Sequence, residues 1–352
     1  GIVNIGLEGM MVIGTWFGAW AGWFYGPWYG VLAGLLGGAL FGLIHAVGTI
    51  TFQVDHIVSG VAINILAAGV ARFLSVVAYA DVPAGGATQS PRVDERIEKI
   101  SIPYLSGGKI NESDTADVFG SLEALDLFLI SDLFGLLGGL TRNISYFSIL
   151  AVLLVPVSVW ILWSTSFGLQ LRSVGEYPVG SESVGVNVYL MKYIGVTISG
   201  AFAGLAGAYL VIESAGIYRE GQTGGRGFIG LAAMIFGNWK PLGTFLGSSL
   251  FGYADSLQLR SEESVHGLLI IIVCVLFIVG IRSFIKKNLR TAIFSFIFSG
   301  LFLFWFLNSS TIPNEFVFFT PHITTLIVLS FASQRLRMPK FIGKAYKKGE
   351  LN

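Results

Sequence analysis

Apolar residues in this chain come in long runs separated by short polar or basic interruptions. About 20 apolar residues cross the hydrocarbon core of a bilayer as a helix, and slightly fewer suffice inside a bundle. Runs of this kind cover residues 9–25, 28–47, 56–79, 146–163, 190–212, 227–239, 242–259, 265–281, 291–307 and 316–333. The pattern predicts an all-α polytopic membrane protein with about ten membrane segments. The sixth run is too short to span comfortably. It reads as a broken or partly re-entrant helix, tolerable only where protein or a cavity shields its backbone.

The basic residues between the runs set an orientation. Arg335, Arg337, Lys340, Lys344, Lys347 and Lys348 crowd the C-terminal tail, and Arg282, Lys286, Lys287 and Arg290 fill the 282–290 turn. Both are expected on the cytoplasmic side, two crossings apart. Counting back, the 166–189 loop with Arg172 is cytoplasmic too. The 80–145 segment falls outside as a long extracytoplasmic loop, with more Asp and Glu than Lys and Arg.

Two short segments read alike. Residues 1–11 are GIVNIGLEGMM and residues 225–235 are GRGFIGLAAMI. Without gaps they share Gly1/Gly225, Ile5/Ile229, Gly6/Gly230, Leu7/Leu231 and Met10/Met234. The first carries Glu8 and the second Arg226. The orientation count sends the first outward and the second inward, which is an inverted internal repeat. Transporters built that way place their path at the repeat interface. The chain opens on this motif without a Met, so at least one further N-terminal helix is expected to be missing from it.

Glycine adds packing information. Gly30, Gly34, Gly38 and Gly42 recur every four residues on one helix face, and Gly200, Gly204 and Gly207 do so less regularly. Such stripes let helix backbones approach closely and are read as packing surfaces.

Composition agrees: 53% of residues are hydrophobic, 12% are charged, and mean hydropathy is +0.72. A net charge of +1 gives no bulk electrostatic case for nucleic acid. The single Cys274 excludes a disulfide framework and a cysteine metal site. His45, His56, His266 and His322 lack ligand spacing, so no metal or cofactor is expected. Gly225-x-Gly227-x-x-Gly230 matches the dinucleotide fingerprint formally, but it opens a membrane segment instead of following a strand. No phosphate-binding GxxxxGK[ST] occurs, so any ATP must be bound by a partner.

Polar residues at membrane depth are costly and therefore mark sites. Here they are Asn4, Glu8, Asp55, Asn64, Arg72, Arg226 and Asn238. Asp55 and Arg72 read as helix-end residues. Asn64, in the middle of SGVAINILAAG, is the stronger path candidate, and Glu8 offers proton coupling. In the 166–189 loop, SFGLQLRSVGEYPVGSESVGVNVY, Pro178 can open a helical turn, with residues 179–184 forming a short helix on the membrane surface.

The stretch LRSVGEYPVGSESVGVNVYLMKYIGVTISGAFAGLAGAYL resembles the loop-plus-helix signature of permease subunits from binding-protein-dependent ABC importers, in the family handling branched-chain amino acids, simple sugars and nucleosides. GIVNIGLEGMM and GGRGFIGLAAMIFGNWKPLGTFLGSSLFGYADSLQLR are similar to its nucleoside-type branch, as is the C-terminal TPHITTLIVLSFASQRLRMPKFIGKAYKKG. The resemblance implies the ABC importer permease fold and a coupling helix around Arg172–Val186, with Arg172, Gly175, Glu176, Pro178 and Gly185 facing a separate ATPase. It implies that Asn4, Glu8, Asn64, Arg226 and Gly227 surround the translocation path. Implied partners are the ABC ATPase, a second related permease chain, and a lipid-anchored or periplasmic substrate-binding protein.

The sequence departs from the commonest pattern of the family in an additional helix pair within 265–308 and in the long 80–145 segment. The expectation is a multi-pass permease of a prokaryotic plasma membrane, one domain over 1–352, importing nucleosides or similar small polar solutes, simple sugars included, without covalent chemistry. The alternative is a stand-alone ion-coupled secondary transporter using Glu8. A scaffold role fits the intramembrane charges poorly. The triplets at Asn111, Asn143 and Asn308 are read as incidental in such a membrane.

Overall fold

Glycine decides how the central helices meet. The computed structural model describes residues 1–110, 113–125, 130–257, 266, 268–309, 312–313 and 337–349. Helix α1 (Leu7–Tyr25) runs to Gly26, whose φ of 96° only glycine adopts without strain. Pro27 then opens α2 (Pro27–Ala46), where its missing N–H costs nothing. Helix α2 ends in a π turn, Val47–Thr51, and α3 (His56–Tyr79) follows, with the Asp55 carboxylate accepting from the N–H groups of Ile57 and Val58.

Short elements come next. They are β1 (Lys99–Ile100), β2 (Lys109–Ile110), β3 (Ser113–Asp114), α4 (Val118–Glu123), α5 (Ile130–Thr141) and β4 (Ile144–Ser145). After them come α6 (Tyr146–Ser164), the pair α7 (Ser166–Glu176) and α8 (Pro178–Ser183), and α9 (Val188–Tyr209) with its own π turn, Leu210–Ala215. The last described helices are α10 (Arg226–Phe236), α11 (Pro241–Leu257), α12 (Leu268–Ile285) and α13 (Leu289–Asn308).

Two compact units divide the chain, residues 1–232 with 338–352, and residues 233–337. In the first, α1, α2 and α9 pack backbone to backbone. A Cβ on Gly38 would sit 2.5 Å from Gly204 Cα, and one on Gly34 would sit 2.8 Å from the Gly14 carbonyl oxygen. Gly42 meets Gly200, and Gly207 meets Met11. Both glycine stripes are thus helix-packing surfaces, as their spacing predicts. Around them Met10, Ile13, Phe41, Ile63 and Ala67 form one buried cluster. Trp16, Tyr79, Val93, Ile212 and Tyr218 belong to a second.

The 80–145 segment has more structure than a plain loop. β1 pairs antiparallel with β4, Lys99 opposite Ser145, and β2 pairs with β3, Lys109 opposite Asp114. Arg142 joins the Asp117 carboxylate at 2.8 Å and that of Glu123 at 3.3 Å. Backbone bonds tie residues 88–93 to the 216–220 loop, Val93 N–H to the Gly216 carbonyl at 2.8 Å among them.

In the second unit α12 and α13 form a hairpin whose turn places Lys287 at a φ of 58°. Asn288 caps α13, and Ser299 in α13 donates to the Val273 carbonyl at 3.1 Å. This hairpin falls within 265–308, and Val265 itself lies outside the described residues. So does the expected span 316–333, together with His322, Arg335 and Asn111.

Among the described residues five helical stretches are long and apolar enough to cross a membrane: Pro27–Thr51, His56–Tyr79, Tyr146–Ser164, Val188–Ala215 and Leu289–Asn308. Helix α10 has only 11 residues, in line with the short sixth run.

Candidate functional site

The first turn of α1 collects most of the expected path residues. The Glu8 carboxylate reaches across to the start of α10. Its Oε1 accepts from Thr223 Oγ1 at 2.6 Å and from Gly225 N–H at 2.9 Å, and its Oε2 accepts from Gly227 N–H at 2.7 Å. Helix N-termini present N–H groups without intrahelical acceptors and a positive dipole end, so a carboxylate is the natural cap. Here the cap comes from another helix. Gly227 is required because a Cβ there would lie 2.5 Å from the Glu8 backbone. The two similar segments therefore meet, the carboxylate of one capping the helix of the other. Arg226 turns back on its own loop, Nη1 lying 3.3 Å from the Gln222 carbonyl oxygen and 3.4 Å from that of Thr223.

Asn64 holds the same turn of α1 from the side of α3. Its Oδ1 accepts from Gly9 N–H at 2.8 Å and its Nδ2 donates to the Ile5 carbonyl at 3.2 Å. Gly9 is compact enough to bring α1 against α3, since a Cβ would sit 2.8 Å from Asn64 Cα. Asn4 is buried, and its Nδ2 donates to Ser199 Oγ at 3.0 Å and contacts Met10 Sδ at 3.3 Å. Its Oδ1 has no hydrogen-bond partner. Asn4, Lys192 and Ser199 share the wall of a cavity of about 200 Å³.

Other polar residues have different places. Asp55 caps α3 as expected of a helix-end residue. Arg72 instead lies within α3, well exposed, 3.8 Å from the Glu220 carboxylate, so a loop residue distant in sequence takes its charge. Asn238, in the second unit, has a φ of 56° and its Oδ1 accepts from Arg337 N–H at 2.6 Å.

The 166–189 loop folds into α7, a one-residue break at Tyr177, and α8. Pro178 opens α8 and Gly185 closes the turn after it with a φ of 88°. Glu176, at the C-terminus of α7, accepts from Lys340 N–H at 3.4 Å, and the Gly175 carbonyl accepts from Phe341 N–H at 3.1 Å. Arg172 lies apart from these, its guanidinium 5.3 Å from the Trp163 ring centre.

Two buried charges escaped the sequence reading. Lys192 in α9 is 7% exposed, with its ammonium 5.1 Å from the Tyr346 ring centre and 5.3 Å from that of Phe341. Glu213, in the π turn after α9, is 3.1 Å from Lys99. Each is a lone charge in an otherwise apolar run, and that signal was available in the sequence.

Spanning helices packed through glycine, with a carboxylate joining two similar segments at the short helix α10, define a multi-pass helical membrane protein. Comparison with known proteins carries this further. The chain belongs to the family described as the permease component of the branched-chain amino acid transport system, whose model matches residues 1–279. It is 35% identical over 357 residues to the guanosine ABC transporter permease protein NupQ of Bacillus subtilis (strain 168), and 31% identical over 357 residues to the nucleoside ABC transporter permease protein NupC of Lactococcus lactis subsp. cremoris (strain MG1363). Both comparisons cover 99% of this chain and 89% of the relative. A putative glucose ABC transporter permease protein, TsgC13 of Haloferax volcanii, is 29% identical over 75% of this chain and 70% of its own length. No solved structure matches the chain. The protein is thus an ABC transporter permease, a transport protein and not an enzyme.

Proposed function

We propose that this chain is the membrane-spanning subunit of an ATP-driven importer for nucleosides or closely related small polar solutes in the plasma membrane of a prokaryote. The observation that carries the substrate class is the likeness, over 99% of the chain, to two permeases named for guanosine and nucleosides. The glucose-type relative leaves simple sugars as the second substrate class. ATP is bound and hydrolysed by a separate ATPase docking on α7 and α8, where Arg172, Gly175, Glu176, Pro178 and Gly185 form the coupling surface. A second related permease completes the pore, and a lipid-anchored or periplasmic binding protein delivers the solute.

In this reading about ten membrane segments form an inverted repeat, with 80–145 outside and 166–189 in the cytoplasm. The path runs beside the first turn of α1, where Asn4, Glu8, Asn64, Arg226 and Gly227 gather. The Glu8 cap supports that placement, because a bond between the two similar segments is the kind of joint an alternating-access cycle makes and breaks. The ion-coupled carrier is not favoured, since the relatives are ABC permeases.

Glu176→Arg tests the coupling surface. It reverses charge at the end of α7 on the cytoplasmic side, so the variant should reach the membrane folded and assembled yet lose solute uptake. Normal uptake by that variant would remove the coupling assignment.

A further inference from the structure

The C-terminal tail is held down on the coupling pair by contacts of several kinds. Tyr346 is 5% exposed on a stretch that is otherwise largely exposed, and its hydroxyl donates to the Glu182 carboxylate of α8. Lys348 Nζ lies 3.6 Å from the other oxygen of that carboxylate. Phe341 N–H and Lys340 N–H close on the last turn of α7, at Gly175 and Glu176. The rings of Phe341 and Tyr346 cover the buried ammonium of Lys192 in α9, a cation–π arrangement worth most where water is excluded. Two residues beyond Phe341, Gly343 N–H donates to the Gly1 carbonyl at 2.8 Å. One strap therefore touches α7, α8, α9 and the segment that leads into α1.

We propose that this strap is a working part of the coupling machinery. It ties the α7–α8 pair to the chain leading into α1, so that displacement of α8 is delivered to the Glu8 and Asn64 end of that helix, and Tyr346 is its positioning residue. The inference rests on the reading of α7 and α8 as the ATPase contact. The surface that the strap leaves open on this pair, with Tyr177 at 60% and Val184 at 79% exposure, is what the ATPase would meet. A strap of this kind keeps that surface in a fixed relation to α1. Without it, α8 moves alone and ATP hydrolysis runs without transport.

The test uses the whole transporter, purified through a tag on this chain, in proteoliposomes. Tyr346→Ala, and separately a stop after Met338, should lower solute uptake roughly tenfold, the effect of losing one charge-assisted hydrogen bond and its packing, while ATP hydrolysis continues. A double-mutant cycle separates positioning from a general loss of fold. Glu182→Ala removes the carboxylate to which the Tyr346 hydroxyl donates. Uptake by Glu182→Ala combined with Tyr346→Phe should therefore fall no further than with Glu182→Ala alone, while ATP hydrolysis continues.

Independent, multiplying losses of uptake from Tyr346→Phe and Glu182→Ala, or normal uptake by the chain stopped after Met338, overturns the strap. The docking reading fails separately. If Tyr177→Ala combined with Val184→Asp leaves uptake and ATPase recovery unchanged, α8 is not the ATPase contact. If those surface changes uncouple transport and the strap variants do not, only the strap proposal falls.

Discussion

Glu8 shows how one residue can look like a chemical group and serve as a joint. A charge in an apolar helix invites a proton-coupling role, yet both of its oxygens accept from donors at the start of α10. Removing it strands two N–H groups and the Thr223 hydroxyl. Glu8→Ala should therefore destabilise the protein by about 2 kcal/mol, read as a lower Tm in detergent. Gly227→Ala should cost about 1–3 kcal/mol by overpacking, because the added methyl meets the Glu8 backbone. Unchanged melting in both variants would mean that the joint does not hold. Sequence made Asn4, Glu8, Asn64 and Gly227 visible as odd residues in apolar or glycine-rich runs. It could not show Thr223, Ser199 or the Gly9 amide as their partners, because those contacts join positions 55 to 219 residues apart.

At the scale of elements, glycine spacing was the most legible signal. A four-residue glycine repeat can do little else than build one smooth helix face, and α2 and α9 meet along it. Gly204→Val would force a branched side chain into the α2 backbone. It should cost at least about 3 kcal/mol, seen as loss of folded, monodisperse protein, whereas Gly69→Val, at a site with open space, should not.

The 80–145 segment was the least legible element. Apart from α5, its two-residue strands and six-residue helix leave almost no periodicity to read. Arg142 bridges Asp117 and Glu123 within it. The Gly120 N–H first, and then the Arg142 guanidinium, hold the Asp117 carboxyl below the usual carboxylate range. The folded value lies below the unfolded one. This group's contribution is therefore complete above about pH 4 and is lost as pH falls through the folded value. Hydrogen-exchange protection factors at α4 and α5, which correct for the slower intrinsic exchange in acid, should fall as the medium is acidified below about pH 4. Asp117→Asn should exchange faster already at neutral pH and show no such acid step. An acid step of the same size in that variant would place the sensitivity elsewhere.

At the scale of the molecule, hydropathy fixes the class because burying that much apolar surface in a bilayer leaves few other solutions. The five spanning stretches coincide closely with five of the runs read from the sequence. Helix α1 was also foreseen, from the first of the runs. What hydropathy cannot reveal is how the tail returns to the α7–α8 pair. Its lysines read as an orientation signal, and only packing shows Tyr346 and Phe341 closing over Lys192, a buried cation that the sequence reading had passed over.

If the proposed function is right, this chain passes solute under the control of ATP. The most direct measurement is uptake of a radiolabelled nucleoside by proteoliposomes holding the complex captured through a tag on this chain, with ATP supplied on the ATPase side and all ion gradients collapsed by ionophores. An ATP-driven importer should show uptake that requires ATP hydrolysis and survives the loss of every gradient. Uptake that needs no ATP and stops when a proton or sodium gradient is dissipated would contradict it.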